Sequence, residues 1–504
     1  MQETGQETGQ VSIKQTCAIL TRVMIIIKKK LTMEFFMSYV YDLALFIFRR
    51  DLRLEDNTGL INALKLSKKV IPFFICDPEQ ITEKNKYLSQ NALEFMQESL
   101  QDLAGQLKKD DAKLYIFHGH VLDVLKKLQK NSKNINFQAI FVNHDYTPYS
   151  TQRDNDIKLW CEKNDKEFIQ SHDLLLHAPD AIRKKNNEPY TIFTPFYKRA
   201  CMTPVRKPEK NRYKNFYTKK IPNTHEDFLD TFISKKNKLR TVIGGRTACL
   251  KILKNIHKHK DYIKYRDFPA HTPSTTQLSA HLKFGTCSVR EIYYEIRETL
   301  GLHHPLLRQL YWRDFFTVIT YYFPYVLGHA FHKKYDSIEW DNNKKNFTAW
   351  CDGQTGFPIV DAGMRELNTT GFMHNRVRMI VASFLTKDLH IDWRLGEKYF
   401  AKHLVDYDPA VNNGNWQWSA STGCDAQPYF RIFNPWLQQK KFDPDAEYIK
   451  RWVPELAKLT PKEIHTWFKP KSPLQKSYPR PITDHASASA WAKKLYRHAA
   501  TQQK

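Results

Sequence analysis

YDLALFIFRRDLRLEDN, residues 41–57, carries the first clear structural signal of the chain and sets the fold class of the segment around it. Its opening run, YDLALFIF, is almost entirely apolar, as expected of a strand buried on both faces of a parallel sheet. A helical pattern follows at 58–67, and a second strand-like run, KVIPFFICD, occupies 69–77. The alternation continues with NALEFMQESLQDLAGQLKK (helix), KLYIFHG (strand), VLDVLKKLQK (helix) and FQAIFVNHDY (strand). Strands that alternate with helices predict a doubly wound, Rossmann-like α/β domain with a parallel sheet over residues 41–173.

The charged part of that stretch, RDLRLEDN (50–57), allows two interpretations. Because it follows the first strand, it can form an anion-facing loop at the carboxyl end of the sheet. It can equally be a solvated charged turn. The chain contains neither a G-x-G-x-x-G motif nor a Walker loop, so ordinary dinucleotide or ATP chemistry lacks its sequence sign.

Outside the α/β domain, composition divides the chain into three further segments. Residues 1–40 carry an apolar run too short to span a bilayer, and we interpret them as a disordered or mis-called N-terminal extension. Residues 174–238 are rich in Pro, Lys and Asn and are predicted to be a long basic connector that crosses a surface. Residues 239–490 show helical periodicity and are predicted to form an all-α domain. Ten of the eleven tryptophans lie from Trp312 onward, so any aromatic chemistry belongs to the helical domain.

Composition indicates the kind of partner and the compartment. The 504 residues carry 78 Lys and Arg against 53 Asp and Glu, a net charge of +25. This excess favours a polyanion partner, because phosphates attract distributed cations and release counterions; a generally solvated basic surface is the other interpretation. The eight cysteines are scattered, without a C-x-x-C pair or histidines at zinc spacing. That pattern favours free thiols in a reducing compartment over disulfides or a metal site.

Two motifs of the helical domain place hydroxyl or basic side chains at helix starts. In PSTTQLSAHLKFG (273–285), hydroxyls precede a helix whose backbone N–H groups can hold phosphate oxygens; a simple Ser/Thr N-cap is the alternative. In MHNRVRM (373–379), Arg376 and Arg378 point to different faces, so that one can reach an outside phosphate while the other points inward. A solvated basic turn is the alternative there.

Two further motifs combine aromatic side chains with amides or carboxylates. RQLYWRDFF (308–316) puts Arg308, Trp312 and Phe316 on one helical face, which can stack a base or can simply be buried. DYDPAVNNGNWQW (406–418) offers two carboxylates to a ring N–H or to ribose hydroxyls, beside two tryptophans. Neither motif contains a nucleophile or a metal-ligand set, which disfavours hydrolysis.

Together these motifs resemble the photolyase/cryptochrome family, and most closely its class I cyclobutane pyrimidine dimer photolyases. The resemblance runs from about residue 41 to 485 and is most specific over 356–435. The blocks that carry it are GFPIVDAGMRELNTTGFMHNRVRMIVASFLTKDL, IDWRLGEKYF and DYDPAVNNGNWQWSASTGCDAQPYFRIFNP. It implies FAD in the helical domain of a monomeric enzyme that acts on UV-damaged DNA. In the family, excited FADH⁻ gives an electron to a flipped-out pyrimidine dimer, the cyclobutane ring splits and the electron returns.

The resemblance also implies roles for individual residues. Trp416, Trp393 and Trp340 match the tryptophan chain that photoreduces the flavin, with Trp416 nearest the flavin and Trp340 at the surface. Asn412 matches the asparagine that faces flavin N5. The implied FAD contacts are Tyr262, Thr275, Thr276, Gln277, Leu278, Ser279, Arg313, Arg378, Asp406, Tyr407, Asp408 and Asn412. The implied DNA and dimer contacts are Arg266, Gln309, Trp312, Arg313, Phe316, Asn375, Arg376, Met379, Trp418 and Gln438.

The sequence departs from the family pattern near the implied lesion site. Gln309 stands where class I photolyases have the dimer-contacting glutamate, and glutamine is usual there in (6-4) photolyases and animal cryptochromes. Asn375 and Met379 stand where (6-4) photolyases have two histidines. The resemblance therefore favours repair of cyclobutane dimers, with a (6-4) photolyase and a cryptochrome-like blue-light receptor without repair as the alternatives.

A second, antenna chromophore is expected in the α/β domain, but the sequence does not select it. The Asn-Glu pair that holds folate in the bacterial enzyme aligns with Tyr149 and Ser150. Methenyltetrahydrofolate, deazaflavin or no antenna all stay open. The resemblance implies a protein that is not secreted and not bound to membranes, located in the cytoplasm, nucleoid or nucleus with the DNA.

Overall fold

The computed structural model describes residues 39–131, 135–222, 224–225, 236–469 and 477–501. The prediction of a disordered or mis-called extension over residues 1–40 falls almost entirely outside these residues. None of the described helices combines the length and the apolarity that a bilayer-spanning segment needs.

The first part of the chain folds around a parallel sheet with the strand order β3-β2-β1-β4-β5. Each neighbouring pair is parallel, and Leu45 of the central strand is level with Ile71 on one side and Ile140 on the other. The strands are β1 (Tyr41–Phe48), β2 (Ser67–Cys76), β3 (Tyr115–His118), β4 (Ala139–Asn143) and β5 (Glu167–Ser171). The helices of this part are α1 (Thr58–Leu66), α2 (Pro78–Ile81), α3 (Gln90–Lys108), α4 (Val121–Asn131) and α5 (Pro148–Lys163). The predicted doubly wound α/β fold is confirmed.

Strand β1 explains why its sequence is apolar without interruption. Phe46 and Phe48 face one apolar core, and Leu45 and Ile47 face another on the opposite side of the sheet. All four side chains are buried, because helices cover both faces. The strand order reverses at β1, so the loop that follows it stands at the topological switch point of the sheet.

The loop RDLRLEDN is neither a solvated turn nor an open anion site. Asp51, Arg53 and Asp56 are buried. Arg53 pairs with Asp173 at 2.5 Å, and Asp56 accepts from Arg290 Nε at 2.8 Å. Both interpretations offered above were wrong, because Arg50, Arg53 and Asp56 are paired with charges from segments more than 100 residues away. A sequence shows the charges but not such distant partners.

The segment predicted as a connector, 174–238, does more than cross a surface. It contains a helix, α6 (Phe193–Met202), whose Phe193 and Phe196 are buried in the core of the helical part. Further along, Phe216 is buried in a core of the α/β part. The interpretation as a surface crossing was therefore wrong for these stretches, because isolated apolar residues in a polar segment leave no periodic pattern to recognise. The domain boundaries themselves stay a prediction.

The remaining described residues are mainly helical and enclose two large apolar cores rich in aromatic side chains. The first helices are α7 (Arg246–Lys254), α8 (Tyr262–Tyr265), α9 (Ser279–Phe284), α10 (Val289–Leu300), α11 (Pro305–Tyr322), α12 (Lys344–Cys351) and α13 (Pro358–Thr370). The later ones are α14 (Asn375–Lys387), α15 (Trp393–His403), α16 (Pro409–Ala420), α17 (Pro435–Phe442), α18 (Glu447–Trp452), α19 (Pro461–His465) and α20 (His485–Thr501). Helices α11, α14, α15 and α16 pack against one another and build the site described next.

Candidate functional site

A cavity of about 460 Å³ lies among these helices, within the range of about 300–1,000 Å³ that ligand pockets occupy. Most of the predicted site residues line it, although they come from segments spread over more than 150 positions. They are Tyr262, Arg266, Thr275, Thr276, Gln277, Leu278, Ser279, Gln309, Trp312, Arg313, Phe316, Asn375, Arg378, Met379, Asp406, Tyr407, Asp408, Asn412, Trp416 and Trp418. Four predicted residues do not line it, namely Trp340, Trp393, Arg376 and Gln438.

Helix α16 builds one wall of the cavity. Its start is fixed by Asp408, whose Oδ1 accepts from the backbone N–H groups of Ala410 and Val411 at 3.1 and 3.3 Å, and by Pro409 at the first helical position. One turn separates Asn412 from Trp416, so both side chains lie on the cavity face. Asn412 Nδ2 donates to the backbone oxygen of Glu397 at 3.2 Å, which fixes the orientation of the amide.

One end of the cavity is rich in charge. Arg378 Nη2 donates to Asp406 Oδ2 at 3.0 Å, and Asp408 is paired with Arg50, which reaches across from the loop after β1. The other carboxylate oxygen of Asp406, Oδ1, is buried without a hydrogen-bond partner among the described residues. This end therefore presents an unused acceptor to whatever fills the cavity.

Lys283 adds a cation to the same end of the cavity. Burial, reinforced by the neighbouring Arg50, lowers the pKa of Lys283 to about 8 although Asp408 and Asp145 oppose the shift. The side chain is therefore still mostly protonated at neutral pH and suits an anionic group. Lys283 was missed at the sequence level, although it lies in the quoted motif PSTTQLSAHLKFG.

The hydroxyl-rich segment before α9 faces the cavity and does not cap the helix. Leu278 occupies the N-cap position, and no side chain caps the first turn. Thr276 Oγ1 accepts only a local hydrogen bond, from Leu278 N at 3.4 Å. The simple N-cap interpretation was therefore wrong, and Thr275, Thr276 and Ser279 are left to meet a ligand.

Partly exposed aromatic and amide side chains of the cavity lining form what is called its mouth below. Trp312 and Trp418 are both partly exposed there, and Gln309, Asn375 and Met379 accompany them. Gln309 Nε2 donates to Pro305 O at 3.4 Å, and Asn375 Nδ2 donates to Met379 Sδ at 3.7 Å. Planar rings beside amides can stack a heterocycle and bond its edge.

The two arginines of MHNRVRM point to different sides of the helix, as the sequence predicted. Arg378 points into the cavity and meets Asp406, whereas Arg376 lies outside it, 2.8 Å from Asp267. The Arg376 guanidinium also lies over the Phe442 ring, 4.4 Å from its centre. Gln438, on α17, is only partly buried and does not reach the cavity. The interpretation as a solvated basic turn is not supported, because both arginines are paired.

Three tryptophans predicted to act together share one apolar core. Trp416 lines the cavity, Trp393 is fully buried and Trp340 is partly buried. Their indole N–H groups have no hydrogen-bond partner among the described residues. Gly396 brings α15 close to α16, since a Cβ there would overlap the Trp416 ring. The predicted roles of these residues stay a prediction.

Glu397 is a further buried group that the sequence did not reveal. Burial raises its pKa to about 7, although a hydrogen bond from Asn413 Nδ2 at 3.3 Å opposes the rise. The backbone oxygen of Glu397 accepts from Asn412 in the cavity wall. The Glu397 side chain is therefore close to that wall, and its protonation changes the local charge. No sequence signal marks it, because it lies in an otherwise ordinary amphipathic helix.

Comparison with known proteins gives consistent results along the chain. Residues 306–498 match the family model described as the FAD binding domain of DNA photolyase, and residues 44–211 match the model described as DNA photolyase. A deoxyribodipyrimidine photo-lyase of Alkalihalophilus pseudofirmus is 37% identical, over 87% of this chain and 94% of its own length.

Two solved structures show the same similarity. An archaeal photolyase from Sulfolobus tokodaii, which contains two FAD molecules, is 45% identical with a TM-score of 0.82, over 90% of this chain and all of that one. A cryptochrome from Synechocystis also superposes with a TM-score of 0.82, at 29% identity, over 91% of this chain and all of that one. The fold alone therefore does not separate repair enzymes from cryptochromes.

Proposed function

The chain belongs to the photolyase/cryptochrome family, and from that premise we propose that it is a light-driven deoxyribodipyrimidine photo-lyase that uses FAD. One observation carries the proposal. A single cavity is lined both by the charged side chains expected to hold FAD and by the aromatic and amide side chains expected to meet a pyrimidine dimer. Curated relatives that cover almost the whole chain are photo-lyases of this kind.

The residues of the charged end fit FAD. The unpartnered Oδ1 of Asp406 can accept from a ring N–H or a ribose hydroxyl, and Lys283 can meet a phosphate. Tyr262, Thr275 and Ser279 add hydroxyl groups along the same wall. Reduced FAD supplies the light-excited electron that splits the dimer and that returns afterwards.

The residues at the cavity mouth would receive the lesion. Trp312 and Trp418 offer planar faces to a flipped-out pyrimidine pair, and Gln309 and Asn375 offer amides to its edges. Gln309 can hydrogen-bond a thymine edge, but it has no proton to give as a carboxylic acid would.

DNA would bind across the surface at the cavity mouth. Arg266 lines the cavity and Arg376 lies outside its lining, and we expect both to meet phosphates that flank an extruded nucleotide. The net charge of +25 supports a polyanionic partner. The protein would act as a monomer wherever the DNA lies, in the cytoplasm, nucleoid or nucleus.

A second chromophore in the α/β part stays a prediction. The Sulfolobus tokodaii photolyase, which this chain resembles over its full length, contains two FAD molecules, so a second FAD joins folate and deazaflavin as a candidate. Tyr149 and Ser150, which replace the folate-binding pair, bond to Asp77 and Asp145 within the protein. These bonds disfavour folate at this position and leave deazaflavin, a second FAD and no antenna open.

Illumination of the reduced, purified protein tests the function. One DNA substrate carries a cyclobutane thymine dimer, and a second carries a (6-4) lesion in the same sequence. We expect light-dependent loss of the cyclobutane dimer alone. If the protein binds photoreducible FAD but repairs neither lesion, the cryptochrome-like receptor replaces the proposal. If only the (6-4) lesion is lost, the protein is a (6-4) photolyase instead.

A further inference from the structure

The Trp312 indole at the cavity mouth is covered by a residue from the segment predicted to be a connector. The Phe193 ring of α6 lies within 8° of parallel to it, and the two ring centres are 3.5 Å apart. That distance is close to the thickness of an aromatic ring, so the two rings overlap with almost no lateral offset. Phe193 is buried, whereas Trp312 is partly exposed and lines the cavity.

A cation steadies this pair. A face-to-face arrangement brings the negative faces of two rings together, and aromatic pairs usually avoid it. The Arg308 guanidinium carbon lies 5.3 Å from the centre of the Phe193 ring and 5.4 Å from that of Tyr197, one turn further along α6. A guanidinium over a ring attracts its π electrons and so offsets the repulsion.

Helix α6 is also tied to the segment that carries the second tryptophan of the mouth. Its N-cap residue, Ile192, offers no side-chain cap. The Phe193 N–H instead donates to Asp425 Oδ2 at 3.2 Å, and a carboxylate at a helix N-terminus is favourable. Asp425 lies in the loop after α16, where the N–H of Gln427 donates to Trp418 O at 3.3 Å. Helix α6 therefore bridges the chain segments of Trp312 and Trp418.

The Trp312 ring also lies near Phe316, at 5.6 Å and 29°, and edge-on to Phe315, and the rest of the indole is left to the cavity. We propose that Phe193 is a positioning residue for lesion binding, and that it fixes the plane of Trp312 so that the part of the indole exposed to the cavity receives the flipped pyrimidine. The inference rests on the proposed function. An indole held in place before DNA arrives does not lose rotational freedom on binding, so more of the stacking energy appears as affinity. Because a normal DNA strand keeps its bases stacked inside the duplex, the benefit is confined to DNA with a lesion.

Two substitutions of Phe193 test the proposal, and a third substitution on the same helix is the matched control. Phe193→Leu keeps apolar volume but removes the parallel ring, and Phe193→Tyr keeps the ring. Phe196→Leu is the control, because Phe196 is buried on α6 and packs against Phe315. The measured quantity is the discrimination ratio, the dissociation constant for undamaged DNA divided by that for otherwise identical DNA with one thymine dimer, together with FAD content.

We expect Phe193→Leu to lower this discrimination ratio about tenfold, in line with the loss of one stacked base, while FAD content stays at the wild-type level. Phe193→Tyr and Phe196→Leu should keep the wild-type ratio. An unchanged ratio in Phe193→Leu, or an equal fall in Phe196→Leu, would overturn the proposal.

If Phe193→Leu does not fold, Asp425→Ala is the second test. This substitution frees the start of α6 and should lower the same discrimination ratio. An unchanged ratio in Asp425→Ala would also overturn the proposal. Light-driven repair by the wild type is measured alongside, so that failure of the proposed function is recognised separately.

Discussion

At the scale of single residues, Trp416 has two roles that can be separated. It is a wall of the cavity, and it is the predicted inner end of the tryptophan chain that reduces the flavin. Its ring packs edge-on against Phe400 and Trp350, and its N–H has no acceptor among the described residues. A phenyl ring in its place keeps most of the packing but is far harder to oxidise.

We therefore expect Trp416→Phe to lose most of the light-driven reduction of oxidised FAD, while the same variant reduced chemically beforehand repairs dimers at close to the wild-type rate. Absorbance of the flavin under continuous light with an external donor measures the first quantity. Trp467→Phe is the control, because Trp467 is buried in the same apolar core but packs against Tyr478 and donates to Pro479 O. Photoreduction of Trp416→Phe at the rate of the control would contradict the relay.

Lys283 gives the cavity a pH dependence of defined sign. Burial and Arg50 lower its pKa to about 8, far below that of a free lysine. Below that pH the ammonium group is present and attracts an anionic cofactor; above it, the empty site has lost the charge. FAD affinity of the wild type should therefore fall as pH rises through about 8.

Lys283→Arg provides the matched variant for this prediction, because arginine stays protonated across the accessible pH range. Its FAD affinity should be nearly flat between pH 7 and about 10, where the wild type declines by up to about tenfold per pH unit. Titration of the apoprotein with FAD, followed by flavin fluorescence, measures both curves. The same decline in Lys283→Arg would show that another group titrates.

At the scale of elements, helix α16 depends on a residue from the other end of the chain. Asp408 caps the helix with one oxygen and pairs with Arg50 through the other. Burial tends to raise the pKa of Asp408, but Arg50, Lys283 and Arg313 outweigh it and hold the pKa below its usual range. The carboxylate contributes stability above the unfolded-state pKa and loses it as pH falls toward the folded-state value.

We expect Arg50→Gln to lower the free energy of unfolding by about 3 kcal/mol, because a nearly buried carboxylate loses its main partner. The variant should also retain less FAD, since α16 carries Asn412 and Trp416. Adding Asp408→Asn to Arg50→Gln should restore part of the stability by removing the unpaired charge. Urea unfolding near neutral pH measures all three proteins.

Lys68→Gln is the control for Arg50→Gln, because Lys68 pairs with Asp42 on the open surface of the same α/β part. An exposed ion pair contributes little, so this variant should unfold like the wild type. If Arg50→Gln also unfolds like the wild type, the link between the loop after β1 and α16 has no energetic weight.

How much of this architecture is predictable from sequence differs between elements. The first four strands of the α/β part are apolar runs that the sequence shows, and β1 was located residue for residue. Strand β5, with the mixed sequence EFIQS and a single buried residue, was not identified. Asn412 and Trp416 were recognised through the resemblance to the family, and their separation by one helical turn places both on the cavity face. Phe193 and Arg50 were not, because their partners, Trp312 and Asp408, lie 119 and 358 positions further on, and only the packed fold brings them together.

At the scale of the whole molecule, charge connects the cavity to its substrate. The net charge of +25 includes many side chains far from the cavity mouth, and only those that meet phosphates release counterions on binding. Arg376 is placed to be one of them, since it lies just outside the cavity with its guanidinium against Asp267 and Phe442. The salt dependence of DNA binding therefore gives the number of phosphate contacts, which the net charge alone does not.

We expect Arg376→Ala to weaken binding of both damaged and undamaged DNA and to lower the slope of log K against log salt by about 1, as the loss of one phosphate contact should. Arg376→Lys keeps the charge but not the planar group over Phe442, so it should keep the slope and separates electrostatics from packing. Lys84→Gln removes an exposed cation of the α/β part, paired with Glu79, and should change neither affinity nor slope. A wild-type slope and affinity in Arg376→Ala would remove Arg376 from the DNA-contacting set and move the phosphate path toward Arg266.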